Sequence, residues 1–410
     1  MTSPLKRTKK RISKVKINEE QKQLQTYIES ENFKGYDPYD TLNSPIPFHW
    51  LGKWGPVLAI QFQKRNPFNI RKLLGIKKAH NPKAMGLFLQ AYSLMYQQIN
   101  PVSIPIAIVE GEETLQKMEF FFNWLLENRT KGYVEFCWGY NFDWASPVKF
   151  LEKNSPTIVV SGFIAKGIFE YYQATQNPKA VEVLKSIADF TQNQLAWTKT
   201  EKGFCVSYST EATDCCYNAN MLGAELFARL FYLTKEEKYK ELAQKMTDFI
   251  VAHQQTDGHW NYSIDIKTGK ERTQIDFHQG YVLDSIHYVN RYCGENEEYK
   301  KALKLGAEYY FTKQFNQNGQ SIFRVPIEYP VEIHNQSQGI ITFTRLAYLS
   351  DNYANFATTI AAWTIQNMQN KKGYFYYKKY PFYTIKTPFM RWSQAWMLLA
   401  LTELNKAKNG

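Results

Sequence analysis

The sequence predicts an all-α protein, an (α/α)6 toroid of six helical hairpins closed into a ring and joined by Gly-aromatic loops. Three observations predict it. Five turn glycines, Gly132, Gly203, Gly258, Gly319 and Gly373, recur at separations of 71, 55, 61 and 54 residues. Each is followed closely by an aromatic residue: Tyr133, Phe204, Trp260, Phe323 and Tyr374. Each loop then leads into an apolar helix, and after the first four a charged amphipathic helix follows. One helix of each unit is therefore inner and buried, and one is outer with a wet face.

Counting decides between an open array and a ring. Inner helices are expected near 83–97, 157–174, 217–233, 278–292, 335–349 and 389–403. Outer helices are expected near 112–128, 178–194, 236–253, 297–314 and 353–368. A helix near 18–30 can supply the missing outer partner by returning to the C-terminal end, and six pairs without polar end caps argue for closure.

Taken in order, the chain opens on a basic tail, residues 1–17, disordered by composition, with KRTKKRISKVK over Lys6–Lys16. Residues 18–410 then read as a single toroid domain, on which 31–80 packs as an irregular, non-helical segment rich in turns and prolines. The clearest repeat is Asp257–Tyr292. Asp257-Gly258 is a turn, Trp260 and Tyr262 follow in a short extended stretch, and Asp276 with Gln279 has the spacing of a helix capping pair.

Composition narrows the function. With 44% hydrophobic and 16% aromatic residues in 410, there is material for a large core. The net charge of +12 is concentrated in the tail, so specific nucleic-acid binding is not expected. No secretory h-region and no apolar run long enough to span a bilayer is present, and the expectation is a cytoplasmic protein whose basic tail could touch a membrane surface. Five cysteines without CxxC spacing argue against a disulfide framework and a zinc site; neither metal nor cofactor is expected.

In such a ring the inner-helix N-termini converge at one mouth, where unpaired N–H groups and helix dipoles favour anionic or hydroxyl-rich ligands. The residues at that repeat position are Asp143-Trp144, Asp214 with Asn218 and Asn220, Asp276 with His278 and Gln279, Glu332 with His334 and Asn335, and Arg391-Trp392 with Gln394. His278 and His334 are the acid/base candidates, since imidazole titrates near neutrality. Asp143 and Asp276 join them as candidate catalytic carboxylates. Each of these four is equally readable as a helix cap or turn residue. Arg391, a cation at an apolar helix start, needs an anionic partner, either a ligand carboxylate or an internal acid. Trp138, Tyr140, Trp144, Trp260 and Trp392 could stack on sugar faces, and Asn218, Gln279 and Glu332 could bind hydroxyls.

The hairpins with Gly-aromatic loops resemble the (α/α)6 toroid superfamily of carbohydrate-active proteins. That superfamily includes the six-hairpin glycosidases, the N-acylglucosamine 2-epimerases and the C-terminal domain of glucuronyl C5-epimerases. The segments GYDPYDTLNS (Gly35–Ser44), WGYNFDW (Trp138–Trp144) and IDFHQGYVLDSI (Ile275–Ile286) resemble proteins of bacterial surface-polysaccharide gene clusters. The likeness covers about residues 80–405, and no catalytic motif transfers residue by residue. It implies a saccharide or polysaccharide intermediate as partner. The activity expected is epimerisation, elimination or hydrolysis of a uronate-containing saccharide, with a non-catalytic saccharide-binding or scaffold role as the alternative.

Overall fold

The computed structural model describes residues 17–99, 105–147 and 150–409. Its helices in chain order are α1 (Ile17–Ser30), α2 (Trp54–Arg65), α3 (Pro82–Tyr96), α4 (Pro105–Glu127), α5 (Ile158–Thr175), α6 (Pro178–Asn193), α7 (Tyr217–Thr234), α8 (Glu237–Val251), α9 (His278–Cys293), α10 (Glu297–Lys313), α11 (Ile333–Arg345), α12 (Asp351–Met368) and α13 (Trp396–Asn409). A π-helical turn, Met390–Ala395, leads into α13. The expected tail lies, apart from Ile17, outside the described residues.

Two layers separate by composition. Helix α5, IVVSGFIAKGIFEYYQAT, is apolar around nearly its whole circumference and buried from Ile158 through Phe169. Helix α8 buries Tyr239, Ala243, Met246 and Phe249 on one face and turns its charged residues outward. The inner layer is α3, α5, α7, α9, α11 and α13; each packs on the next, and α13 returns to α3. The fold is an (α/α)6 toroid. Helix starts are fixed by short polar side chains: Asn81 accepts from Lys83 N and Ala84 N, and Thr157 from Val160 N at 3.1 Å.

Ring closure is visible at the last turn glycine. Gly373 has φ +93°, which disfavours any other residue, and a Cβ there would lie 2.2 Å from Gln23 O of α1. Gly258 meets Leu305 O of α10 in the same way at 2.4 Å. Helix α1 is thus the sixth outer helix, held also by Gln21 Nε2 donating to Thr402 Oγ1 (3.0 Å) and Gln369 Nε2 donating to Glu20 O (3.1 Å).

Among the described residues, ten short strands decorate the loops before the inner helices. β1 (Trp144–Ala145) pairs β2 (Phe150–Leu151), and β3 (Trp197–Thr200) pairs β4 (Gly203–Val206). β5 (Cys215–Cys216), β6 (Ser263–Ile264) and β7 (Glu271–Arg272) form one three-stranded sheet; β8 (Val331–Glu332), β9 (Lys378–Lys379) and β10 (Thr384–Ile385) form another, all antiparallel. They tie neighbouring repeats together at the face where the inner helices begin.

Residues 31–80 are not wholly irregular, because α2 runs for 12 residues inside them. Its Val57 and Ile60 pack on Ala145, Tyr39 and Leu42, a local apolar contact that repeat-based reading could not see. No helix among the described residues is long and apolar enough to cross a membrane.

Candidate functional site

The inner-helix starts bring one compact cluster together around Phe277. Its ring lies 4.2 Å from the His278 ring and 4.3 Å from the His334 ring, measured between centroids. His334 is also packed by Trp392 (4.6 Å) and Trp396 (4.7 Å), and Tyr281 closes the floor, stacked on Trp396 and edge-on to Phe163. Side chains from α5, α9, α11 and the turn before α13 therefore meet near the ring axis.

The two imidazoles are held in different states. His278 Nδ1 is 2.5 Å from Asp276 Oδ1, and the His278 backbone N–H donates to the same oxygen. The carboxylate on Nδ1 holds the ring in place and leaves Nε2 without a hydrogen bond among the described residues, on a side chain still 17% exposed. Burial works to raise the Asp276 carboxyl, but the neighbouring His278 and Arg324 outweigh it and hold the group below its ordinary range. Gln274 donates to the other oxygen at 2.9 Å.

His334 is buried, with Nε2 bound to the Tyr281 hydroxyl and Nδ1 without a partner. Burial above all, with the Arg391 guanidinium adding to it, keeps this imidazole well below the usual histidine range, so it is neutral. Burial also pushes the Tyr281 hydroxyl well up, so it stays protonated beside Nε2. Trp396 Nε1 is a second buried nitrogen without a partner. Such orphans are rare and call for a ligand or water oxygen.

Two cations complete the cluster. Arg391 is buried and takes Asp37 in a two-bonded pair, Nε to Oδ2 at 2.6 Å and the second nitrogen to Oδ1 at 2.8 Å, while its guanidinium stacks over Tyr140 and Trp392. Lys83 is 3% exposed, and its Nζ has no hydrogen bond or ion pair among the described residues. It lies 3.9 Å from the Phe163 ring centroid, with Trp396 and Tyr281 also in range. Burial, then Arg391 and Lys166, depress its pKa well below the lysine range, with Asp37 opposing.

Sequence reasoning named His278, His334, Asp276, Arg391, Trp392 and Tyr140, and the fold brings them together. Glu332 reaches the rim of the same cluster, where it accepts from Trp392 Nε1 at 2.7 Å and pairs with Lys378 at 3.3 Å. Lys83, Tyr281, Trp396, Phe277 and Asp37 were missed. A lysine at the second position of an apolar helix was the available signal, the same one that singled out Arg391.

Several expected ligand groups serve the scaffold instead. Trp138 and Trp260 are fully buried, and their Nε1 atoms donate to Leu125 O and Ile250 O near the ends of the preceding outer helices. They stack on no sugar. Gln279 does not cap α9 with Asp276; its amide is bonded to Trp260 N and O. Gln394 does the same to Phe375, while Gln336 accepts from Ser321 N and donates to Gly319 O, and Asn220 accepts from Val206 N and donates to Phe204 O. The polar residue in the first turn of an inner helix thus rivets the Gly-aromatic loop, which is why it recurs. Asn218 is buried and accepts from Cys216 Sγ. Asp143 accepts from Lys153 N across a local turn, and Trp144 pairs in β1, neither joining the ring of contacts around Phe277. Asp214 is bonded to Tyr208 N.

No family model matches the sequence, and no curated protein sequence matches it. Solved structures do match in shape. A family 76 glycoside hydrolase from a bovine Bacteroides thetaiotaomicron strain aligns with TM-score 0.66 at 13% identity over 97% of this chain and 79% of that one. Cellobiose 2-epimerase from Bacillus thermoamylovorans aligns with TM-score 0.64 at 13% identity over 80% and 88%. A D-mannose isomerase aligns with TM-score 0.59 at 13% identity over 80% and 87%. At these identities the likeness establishes the toroid.

Proposed function

We propose that this protein is a carbohydrate-active enzyme that moves a proton at a sugar carbon, an epimerase or lyase of a uronate-containing saccharide in bacterial surface-polysaccharide metabolism. The observation that carries the reading is the placement of two histidines against Phe277, one bound through Nδ1 to Asp276 and the other buried with Nδ1 unpartnered. His278, with Nδ1 committed to Asp276, offers a basic Nε2 to a C–H bond next to a carbonyl or carboxyl group. His334, buried with Nδ1 free of any partner among the described residues, takes the role of donor to the oxygen where negative charge develops. In epimerisation an acid on the other side of the carbon delivers a proton there while His278 keeps the one it took; in elimination the β-oxygen leaves with its bonding pair and is protonated by the imidazolium of His278.

Hydrolysis by two carboxylates has less support, because each candidate acid is already engaged: Asp143 by Lys153 N, Asp214 by Tyr208 N, Asp276 by His278, and Glu332 by Trp392 and Lys378. The cation for a uronate carboxylate is Lys83 rather than Arg391, whose guanidinium is satisfied by Asp37. That same internal pair favours the alternative of saccharide binding without turnover, since an acid of the chain occupies the charge a substrate would use. The neighbours' printed sugar activities support the class of substrate, with no residue carried across.

The test is incubation with uronate-containing oligosaccharides in D2O. Deuterium appearing at a sugar carbon without chain cleavage is expected, and its loss in His278→Ala with the fold intact. Saccharide-induced thermal stabilisation with no exchange and no cleavage would establish the binding role instead.

A further inference from the structure

The surface beside the mouth carries a patch that saccharide chemistry does not use. Helix α2 presents two apolar faces. Val57 and Ile60 face inward, while Trp54, Leu58 and Phe62, four residues apart and so in one stripe, face solvent at 50%, 63% and 64% exposure. Trp50 (80%), on the turn that packs against the start of the helix, and Leu73 (86%), eight residues past its end, are exposed as well. An apolar patch of this kind on a folded chain marks a protein or membrane contact.

Charge chooses between those partners. From Thr41 through Val109 the sequence has no aspartate or glutamate at all. Lys53, Arg65, Lys72 and Lys77 are exposed around the stripe and form no ion pair among the described residues. Tryptophan, phenylalanine and leucine framed by unpaired cations, on a helix lying flat over the body, match the chemistry of an interfacial helix on an anionic bilayer. The chain's own N-terminal segment is a poor occupant, since Lys6–Lys16 is itself basic.

We infer that α2 and the residues flanking it form a docking surface for a membrane bearing anionic phospholipid. The patch sits at the rim of the site: Lys64 Nζ donates to Tyr39 OH at 2.8 Å, the Tyr39 ring lies 5.5 Å from Trp392, and Trp392 packs on His334. Docking there holds the mouth beside the lipid surface, within reach of a saccharide displayed on it. The inference stands or falls independently of the proton-transfer chemistry.

The experiment is flotation of the full-length protein with vesicles of phosphatidylcholine mixed with phosphatidylglycerol, and with phosphatidylcholine alone. Binding to the anionic vesicles only is expected, weakened by salt. The triple variant W54S/L58S/F62S, whose side chains are solvent-exposed, should keep the native melting temperature and bind roughly tenfold or more weakly. Lys53→Glu should weaken binding roughly fivefold at low salt. Vesicle binding left unchanged by the triple variant, or absent from the native protein, overturns the proposal. So does a concentration-dependent dimer, seen by sedimentation, that the triple variant abolishes while vesicle binding is lacking.

Discussion

Arg391 and Asp37 stand 354 positions apart in the chain and form a buried pair through two hydrogen bonds of 2.6 and 2.8 Å. Asp37 begins the turn that Asp40 and Arg71 continue: Asp40 Oδ2 accepts from Asp37 N, and Arg71 Nε donates to Asp40 Oδ1 at 2.7 Å. One pair therefore clasps the N-terminal segment over the start of the sixth inner helix. Breaking a buried pair by removing one partner leaves the other charged and unsolvated. Asp37→Ala should cost roughly 3–5 kcal/mol in denaturant unfolding, and D37A/R391M should recover most of it. Equal loss in the single and double variants would show that the stranded Arg391 charge carries no penalty of its own.

The His278–Asp276 pair makes a prediction of a different kind. His278→Ala should lower turnover by about 10²- to 10⁴-fold, the range for a lost general base, with little change in substrate affinity. Asp276 adds a pH signature. Its folded-state pKa is depressed, so its stabilisation is present above the unfolded aspartate value and is lost as pH falls through the folded value. Asp276→Asn should flatten the acid limb of the stability curve below about pH 4. An acid limb identical to the native one would place the pH dependence elsewhere.

How much of this could be read from the chain depended on whether the signal was periodic. The ring was legible because Gly258 and Gly373 recur for one physical reason, a positive φ and a backbone of the next outer helix within 2.4 Å. The recurring first-turn polar residue was legible too, but its purpose was not. A glutamine at an inner-helix start reads the same whether it faces a ligand or, like Gln279, bonds the loop carrying Trp260. Lys83 and Tyr281 escaped notice because each sits inside an apolar run, where only the converging of α5, α9 and the turn before α13 shows a shared centre. Helix α2 belongs to no repeat, so no period announced it.

Lys83 connects stability with ligand choice. Its depressed pKa means that the folded chain binds fewer protons than the unfolded one below the ordinary lysine value, and stability therefore rises with pH across that window. Lys83→Met should raise the melting temperature near neutrality and erase this slope, the two proteins converging above about pH 10. A uronate carboxylate beside Nζ would raise the amine's pKa, so binding should take up a proton and weaken as pH rises. Calorimetry in buffers of different ionisation enthalpy reads that uptake. Tight binding by the Met variant, with the same proton count, would remove Lys83 from carboxylate recognition.

Below the site floor the ring axis is charged rather than apolar, and Glu225 is its hub. It accepts from Lys166 Nζ at 2.7 Å, from Arg229 at 2.8 and 3.0 Å and from Ser285 Oγ at 2.8 Å, which joins α5, α7 and α9. Burial would raise its carboxyl, but Lys166, Arg229 and Arg345 together bring it down to about 2. A depressed carboxylate stabilises above its unfolded value near 4.3 and loses that contribution as pH falls toward 2, so acid unfolding should proceed through this window. Glu225→Gln keeps the shape but strands Lys166, and should cost roughly 3–5 kcal/mol at neutral pH while leaving the variant less sensitive to acid. Adding Lys166→Met to Glu225→Gln should restore much of the loss, because the stranded cation is then gone. If the double variant is no more stable than the single one, the network acts through packing alone.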